Sequence, residues 1–550
     1  MKLAVFASLL LACGGNHDTT TDGGGDGGTV SPIAGARIFY TDLTSGPNTG
    51  GEHGNGAYVT LYGNGFGDTR GTSTVTIGGG AASSYPIWTA TKIAIELGAA
   101  AQTGDIVVHI AGKDSNALPF TVRTGGIYFV TATGSDQADG SFAHPWATIP
   151  HAKNSLAVGD IAYLGTHAGD SVSQTTLDTT SSYKCALGMS VNDGGNAGTA
   201  DMPKALIAYP GATALIGAES GLERGLLTPA IGASFDHWVI AGLTLRGAQE
   251  ALDFEGSSDG WRVIGNDISC PNGFGTTGCV TDGPTNLVFY GNDVHGAAAN
   301  VTTISKYYHA LYFSSSHLDI GWNTIRDGKT CRAIQFHDTN GPNEFDLHVH
   351  DNIIHGTVCD GINFSTVDPS QGVVEAFNNV IYDVGTGPDP AEASSDYAGV
   401  YVYQATDNDG SIGKGQVEIY NNTFYDCGSH TSDSSASAIN YDNGAAPLLT
   451  ARARNNLILA KTPAERYILG AVSGSNNSIF GGTGSAGAAS ATVTADPLLV
   501  APATANFHLG AGSPAIDSGV DTGLATDFDG NPRPLGAGFD IGAYEFSGMP

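Results

Sequence analysis

A short stretch recurs three times between residues 309 and 365, and it constrains this chain more than any other feature. The copies are His309-Ala310-Leu311-Tyr312-Phe313-Ser314, Arg332-Ala333-Ile334-Gln335-Phe336-His337 and Asp360-Gly361-Ile362-Asn363-Phe364-Ser365. The second residue is small, the third and fifth are apolar, and the fourth and sixth are polar or Tyr, which is the period-two pattern of a strand. Relatives of the stretch begin at Glu250, Ala398 and Ser437. One strand type reused at irregular intervals predicts a solenoid rather than a single globular sheet. A second repeat agrees: Gly265-Asn266, Gly291-Asn292, Trp322-Asn323, Asp351-Asn352, Asn378-Asn379, Asn421-Asn422 and Asn455-Asn456 each precede a short apolar run. Asn tolerates left-handed backbone at a corner, and stacked Asn amides can bond from coil to coil.

Composition fits a turn-rich all-β protein, with Gly at 79 of 550 residues and charged residues at only 14%. A net charge of −31 argues against nucleic acid as a partner. The start, Met1-Lys2 followed by an apolar run and Leu10-Leu11-Ala12-Cys13, resembles the bacterial lipoprotein lipobox. That resemblance implies cleavage before Cys13 and its lipidation, so 1–13 is a signal and 14–31 a Gly/Asp/Thr linker. The expected location is the bacterial outer membrane or cell surface, with membrane contact only through the lipid and the protein a monomer. Cys331 and Cys359 each stand one residue before a copy of the strand, about 4.8 Å apart if the copies stack, as a disulfide or a buried thiol pair. Cys270 and Cys279 bracket a loop and make a local bridge plausible; no cysteine shows zinc-site spacing.

Residues 32–124 carry short strands at sandwich spacing. Val59-Thr60-Leu61-Tyr62-Gly63-Asn64-Gly65-Phe66-Gly67 and Thr103-Gly104-Asp105-Ile106-Val107-Val108 resemble the IPT/TIG immunoglobulin-like family, which implies a spacer or binding module. Within 125–480, the run from Ile127 through His144-Pro145-Trp146-Ala147-Thr148-Ile149 resembles the first, capping segment of bacterial right-handed parallel β-helix proteins. The longest insertions fall near 385–396 and 406–415. In 481–550, Asp527-Phe528-Asp529-Gly530-Asn531-Pro532-Arg533-Pro534 and Phe539-Asp540-Ile541-Gly542-Ala543-Tyr544-Glu545 resemble the tail of choice-of-anchor Q surface proteins, implying an end cap. Asp527 and Asp529 could hold calcium, but a turn role is the better reading; no other metal or cofactor is expected.

Fourth and sixth residues of the repeated strand should form outward columns containing Asp253, Tyr312, Gln335, Asn363, Tyr401 and Asn440, and Glu255, Ser314, His337, Ser365, Tyr403 and Asp442. Such a mixture of Tyr, amides and carboxylates suits sugar recognition. Among only 22 Lys and Arg, Lys306, Arg326, Lys329 and Arg332 cluster near His309, His317 and His337, which points to an anionic partner. The expected function is therefore binding, and cleavage by β-elimination, of an acidic, uronate-containing polysaccharide. Arg332 or Lys329 would neutralise the uronate, and His309, His337, Lys306 or Tyr312 would take the proton. Tyr312, Gln335, Asn363, Asp360, Lys329 and Tyr401 would contact sugar. His309 could instead bond a neighbouring carbonyl, and Arg332 could pair with Asp360 as a surface ion pair. The alternatives are a non-catalytic glycan-binding adhesin and a glycoside hydrolase using two of Asp253, Glu255, Asp282 and Asp360. The Asp-Asp and Gly-His-Gly motifs of polygalacturonases and the Arg-x-Pro-x-x-Arg of pectate lyases are missing.

Overall fold

The computed structural model describes residues 35–548, apart from 167–174, 177–183, 190–196, 221–223, 229–234, 255–257, 274–277, 339–343, 393–395, 405–410 and 443–447. The Cys13 lipobox, the 14–31 linker and Glu255 lie outside the described residues. No helix among the described residues is long and apolar enough to cross a membrane.

The chain winds as a right-handed parallel β-helix. Sheet I has twelve strands, sheet II eleven and sheet III ten, and neighbours come from successive coils except at the start of sheet II, where Thr175–Thr176 pairs antiparallel with Lys184–Gly188. One coil runs from Leu318–Gly321 in sheet I through Thr324–Arg326 in sheet III to Arg332–Phe336 in sheet II, and the next begins at Leu347–His350. Every copy of the repeated strand lies in sheet II, together with Gly278–Asp282, a strand the repeat pattern does not reveal. Third and fifth residues stack in the core, as in the rings of Phe336 and Phe364, whose centroids are 5.2 Å apart. The second residue is small because backbone passes close by: a Cβ at Gly399 would fall 2.7 Å from both the Ala438 carbonyl and the Phe424 ring.

The corner between sheets I and III divides its two tasks between the paired residues. The first takes positive φ, 55° at Trp322 and 52° at Asp351, and the second is the buried ladder amide. Asn292 Nδ2 donates to Asn323 Oδ1 at 3.0 Å and to the Val263 carbonyl of the previous coil at 3.0 Å, and the same pattern continues coil by coil. An eighth pair, Asn476-Asn477, extends the ladder, and its amides join residues 21 to 43 apart in sequence. Disulfides close Cys331–Cys359 between adjacent coils and Cys270–Cys279 around a loop, and Cys185 and Cys427 are buried.

Two expectations need correction. The immunoglobulin-like sandwich is not a free spacer: it lies flat on the outer face of sheet I. Ile38, Tyr40, Val59 and Leu61 share one apolar cluster with Ile161, Tyr163, Ile207 and Val239. Arg262 donates to the Thr41 carbonyl at 2.7 Å, and Tyr163 Oη to the Tyr58 carbonyl at 2.8 Å. The tail also does more than close an end. Ala486 and Ala489 cover the last coil, but Phe507, Phe528 and Tyr544 pack back against Val380, Tyr382 and Tyr425 on sheet III. Asn378, Asn421, Asn455 and Asn476, the left-handed corner residues, donate to tail carbonyls.

Within the tail Asp527 closes a turn, the reading preferred from the sequence. Asp527 Oδ1 accepts from Asn531 N, and Asp527 Oδ2 accepts from Asn531 Nδ2 and Glu545 N. Asp529 Oδ2 is bonded to His508 Nε2 at 2.7 Å. Burial and the neighbouring Asp529 push Asp527 up to about 7. Arg533 and Glu545 form a fully buried ion pair at 2.7 Å that locks the same turn.

Candidate functional site on the outer face of sheet II

Parallel register places His309 beside Arg332 and Arg332 beside Asp360, as the repeat predicts. The outward column runs Asp253, Thr281, Tyr312, Gln335, Asn363, Tyr401, Asn440. Thr281, from the strand missed in the sequence, fills the gap between Asp253 and Tyr312. This column is not an open surface. Asp253, Thr281, Gln335, Asn363, Tyr401 and Asn440 are buried, and only Tyr312 is half-exposed. The 385–396 and 406–415 insertions both border this sheet, since one precedes and the other follows Ala398–Tyr403.

Arg332 is not a surface ion pair either. Its Nε lies 3.3 Å from Asp360 Oδ2, and its Nη1 donates to the Lys306 carbonyl at 2.8 Å. Asp360 is fully buried and also accepts from Asn363 Nδ2 at 2.8 Å and from the Ala398 amide at 3.0 Å. Burial raises Asp360 against the pull of Arg332. The Cys331–Cys359 disulfide holds the two residues immediately before this pair, so it fixes their spacing covalently.

At the other end of the strands, the Tyr312 hydroxyl and His337 Nδ1 are 3.1 Å apart. Burial, then Asp282, Glu344 and Asp338, hold the Tyr312 phenol above its ordinary value. Burial and Arg332 hold His337 below its own. His309 stacks behind Tyr312 with ring centroids 5.2 Å apart. Burial, Arg332 and His337 together keep it neutral at physiological pH. The His309 Nδ1, the Gln335 Oε1 and the Thr281 Oγ1 are buried and have no hydrogen-bond partner among the described residues. Buried polar atoms are rarely left so, and these three lie on one sheet.

The basic residues do not form the single patch expected. Arg326 lies on sheet III, gripped by Asp293 at 3.0 and 2.9 Å and by Asp327 at 2.6 Å. His317 is bonded to Asp346 at 2.6 Å. Lys329 is exposed and holds the Val301 carbonyl, and the Lys306 ammonium lies over the Tyr307 ring at 5.2 Å. Five residues of chain separate Arg326 from Arg332, enough to turn from one face of the coil to the next. Asp396 joins the site instead: it bonds the Tyr401 hydroxyl, and burial plus Asp360 push it up to about 7. Its place at the end of a variable insertion gave the sequence no repeat to align it with.

The IPT/TIG domain family matches residues 43–122. No curated protein matches the chain. Among solved structures, pectate lyase Pel9A is similar at 15% identity, covering 76% of this chain and 96% of its own, with a TM-score of 0.44. XylC in complex with xylose is similar at 10% identity over 76% of this chain and 99% of its own, with a TM-score of 0.44. An alginate lyase from Paenibacillus sp. str. FPU-7 is similar at 16% identity over 59% of this chain and 95% of its own, with a TM-score of 0.37.

Proposed function

We propose that this chain is a surface-anchored protein whose sheet II groove binds an acidic polysaccharide and cleaves it by β-elimination. The observation that carries the reading is the row of buried, unpartnered polar atoms at Thr281, Gln335 and His309, beside a cation at Arg332 and a Tyr312–His337 proton pair. Arg332, steadied by Asp360, faces the uronate carboxylate and lowers the barrier to removing the proton next to it. Neutral His337 takes that proton; the carbon–hydrogen electrons form the new double bond as the glycosidic C–O bond breaks. Tyr312, whose raised phenol keeps its proton, gives it to the departing oxygen. Gln335, Asn363 and Tyr401 orient the sugar hydroxyls.

Incubation with pectate, alginate and glycosaminoglycans should give unsaturated ends, read as the ultraviolet absorbance of the conjugated uronate. Binding without that signal on every uronate would leave a non-catalytic glycan-binding protein and end the lyase reading.

The pH dependence of binding has a definite sign. Asp396 is mostly neutral below about 7 and becomes a second negative charge beside Asp360 above it. Affinity for a uronate trisaccharide should therefore fall several-fold as pH rises from about 6 to about 8. Titration calorimetry on Asp396→Asn should show that fall removed; an unchanged pH slope would detach Asp396 from the site.

A further inference from the structure

On the far side of the same coils, where the sandwich meets the Asn corner, lies a cleft of about 230 Å³. Two consecutive corners there are glycines, Gly265 and Gly291, where the following coils carry Trp322 and Asp351. A Cβ at Gly291 would fall 1.8 Å from the Tyr40 hydroxyl and one at Gly265 2.4 Å from the Tyr62 hydroxyl, so both phenols reach the bare backbone. Neither hydroxyl makes a hydrogen bond among the described residues. The Trp322 Nε1 is buried without a partner. The Lys92 ammonium, 5.3 Å from the centroid of the Tyr62 ring, has no ion pair or hydrogen bond among the described residues. Asp267 and Asp293 stand on the rim, but Arg246 and His295 hold the first and Arg326 the second.

Four donors thus converge on one aromatic-walled cleft without an acceptor. We propose that this cleft is a second glycan site, taking one carboxylate-bearing sugar unit with its carboxylate on Lys92 and its ring oxygens on Tyr40, Tyr62 and Trp322. A charged donor on a chain of net −31 selects an anion, and phenol and indole edges suit a hydroxylated ring. The ligand class follows from these donors and does not depend on sheet II acting on the same polymer.

The chain has five Trp, so indole N–H resonances of the ¹⁵N-labelled full chain report the site directly, with Trp322→Phe assigning the signal. Trigalacturonate should move the Trp322 signal in the unaltered chain and equally in an Arg332→Ala/Asp360→Asn variant, whose sheet II site is disabled. Neutral xylotriose should bind at least about tenfold more weakly. Lys92→Met, which keeps the length of the side chain, should abolish that preference while leaving the melting temperature unchanged. A Trp322 signal unmoved by millimolar trigalacturonate overturns the proposal, as does a preference that survives Lys92→Met. Movement of Trp322 without any unsaturated product would remove the lyase reading alone.

Discussion

Arg332→Ala should eliminate turnover of uronates and also weaken the fold, and the two losses are separable. Asp360 is fully buried, and Arg332 is its only cationic partner among the described residues. Removing the guanidinium leaves a buried carboxylate to ionise alone or to hold a proton, at a cost of about 3–5 kcal/mol. Asp360→Asn on the same background removes the uncompensated charge and keeps one acceptor for the Ala398 amide, while the Asn363 amide turns over to accept from the new NH2, so the double variant should recover most of the stability. It should not recover activity. Loss of the cation that stabilises the developing charge lowers kcat by about 10²–10³-fold or more, and the double variant lacks it as well. Urea midpoints and initial rates on the same preparations decide the matter. A double variant that regains both stability and rate would make Arg332 a structural residue and move the site elsewhere on sheet II.

The register of that pair was legible because a β-helix converts sequence alignment into spatial adjacency: His309, Arg332 and Asp360 occupy one position of the repeat and therefore one column. The adjacency of Cys331 and Cys359 follows from the same register, which left a disulfide and a thiol pair equally open. Burial of the column was not legible, since alternation marks a face as polar without saying whether it is covered. The docked sandwich left a signal that alternation alone could have caught. The outward column of sheet I reads Ile161, Ala205, Val239, Arg262, Val288 and then Asp319, His348, Glu375, Glu418. Strands that are apolar on both faces are covered on both faces, and the change to charged residues marks where the cover ends. The path of the tail had no such mark. Phe507 and Tyr544 find Tyr382 and Tyr425 across more than eighty residues of chain, and nothing periodic connects them. Arg326 and Arg332 carry the opposite lesson: closeness in sequence means little where five residues turn the chain onto another face.

Asn352→Asp should be among the most damaging single-atom changes available to this fold. Asn352 Nδ2 donates to the Ile320 carbonyl at 2.9 Å and to Asn379 Oδ1 at 2.9 Å, while its Oδ1 accepts from the Asn323 amide and Asn323 Nδ2 at 3.0 Å each. An aspartate keeps the acceptor but turns the donor into an oxygen facing two other oxygens. Protonation can restore one of the two bonds, so one buried acceptor stays unpaired, at about 1–3 kcal/mol, and holding the proton at neutral pH costs more. A loss of about 3–5 kcal/mol is expected near pH 7. The introduced acid should have a folded-state pKa above its unfolded value, so the folded chain binds the proton more tightly and the deficit should shrink as pH falls through that window. Asn477→Asp tests the mechanism from the end of the row. Among the described residues Asn477 Nδ2 donates only to the Ala453 carbonyl, and no further ladder amide follows it there. That variant should therefore lose less, by about 1 kcal/mol or more. Equal losses at both positions, in urea unfolding followed by far-ultraviolet circular dichroism, would mean that each amide acts alone and that the row has no cooperative role in joining the coils.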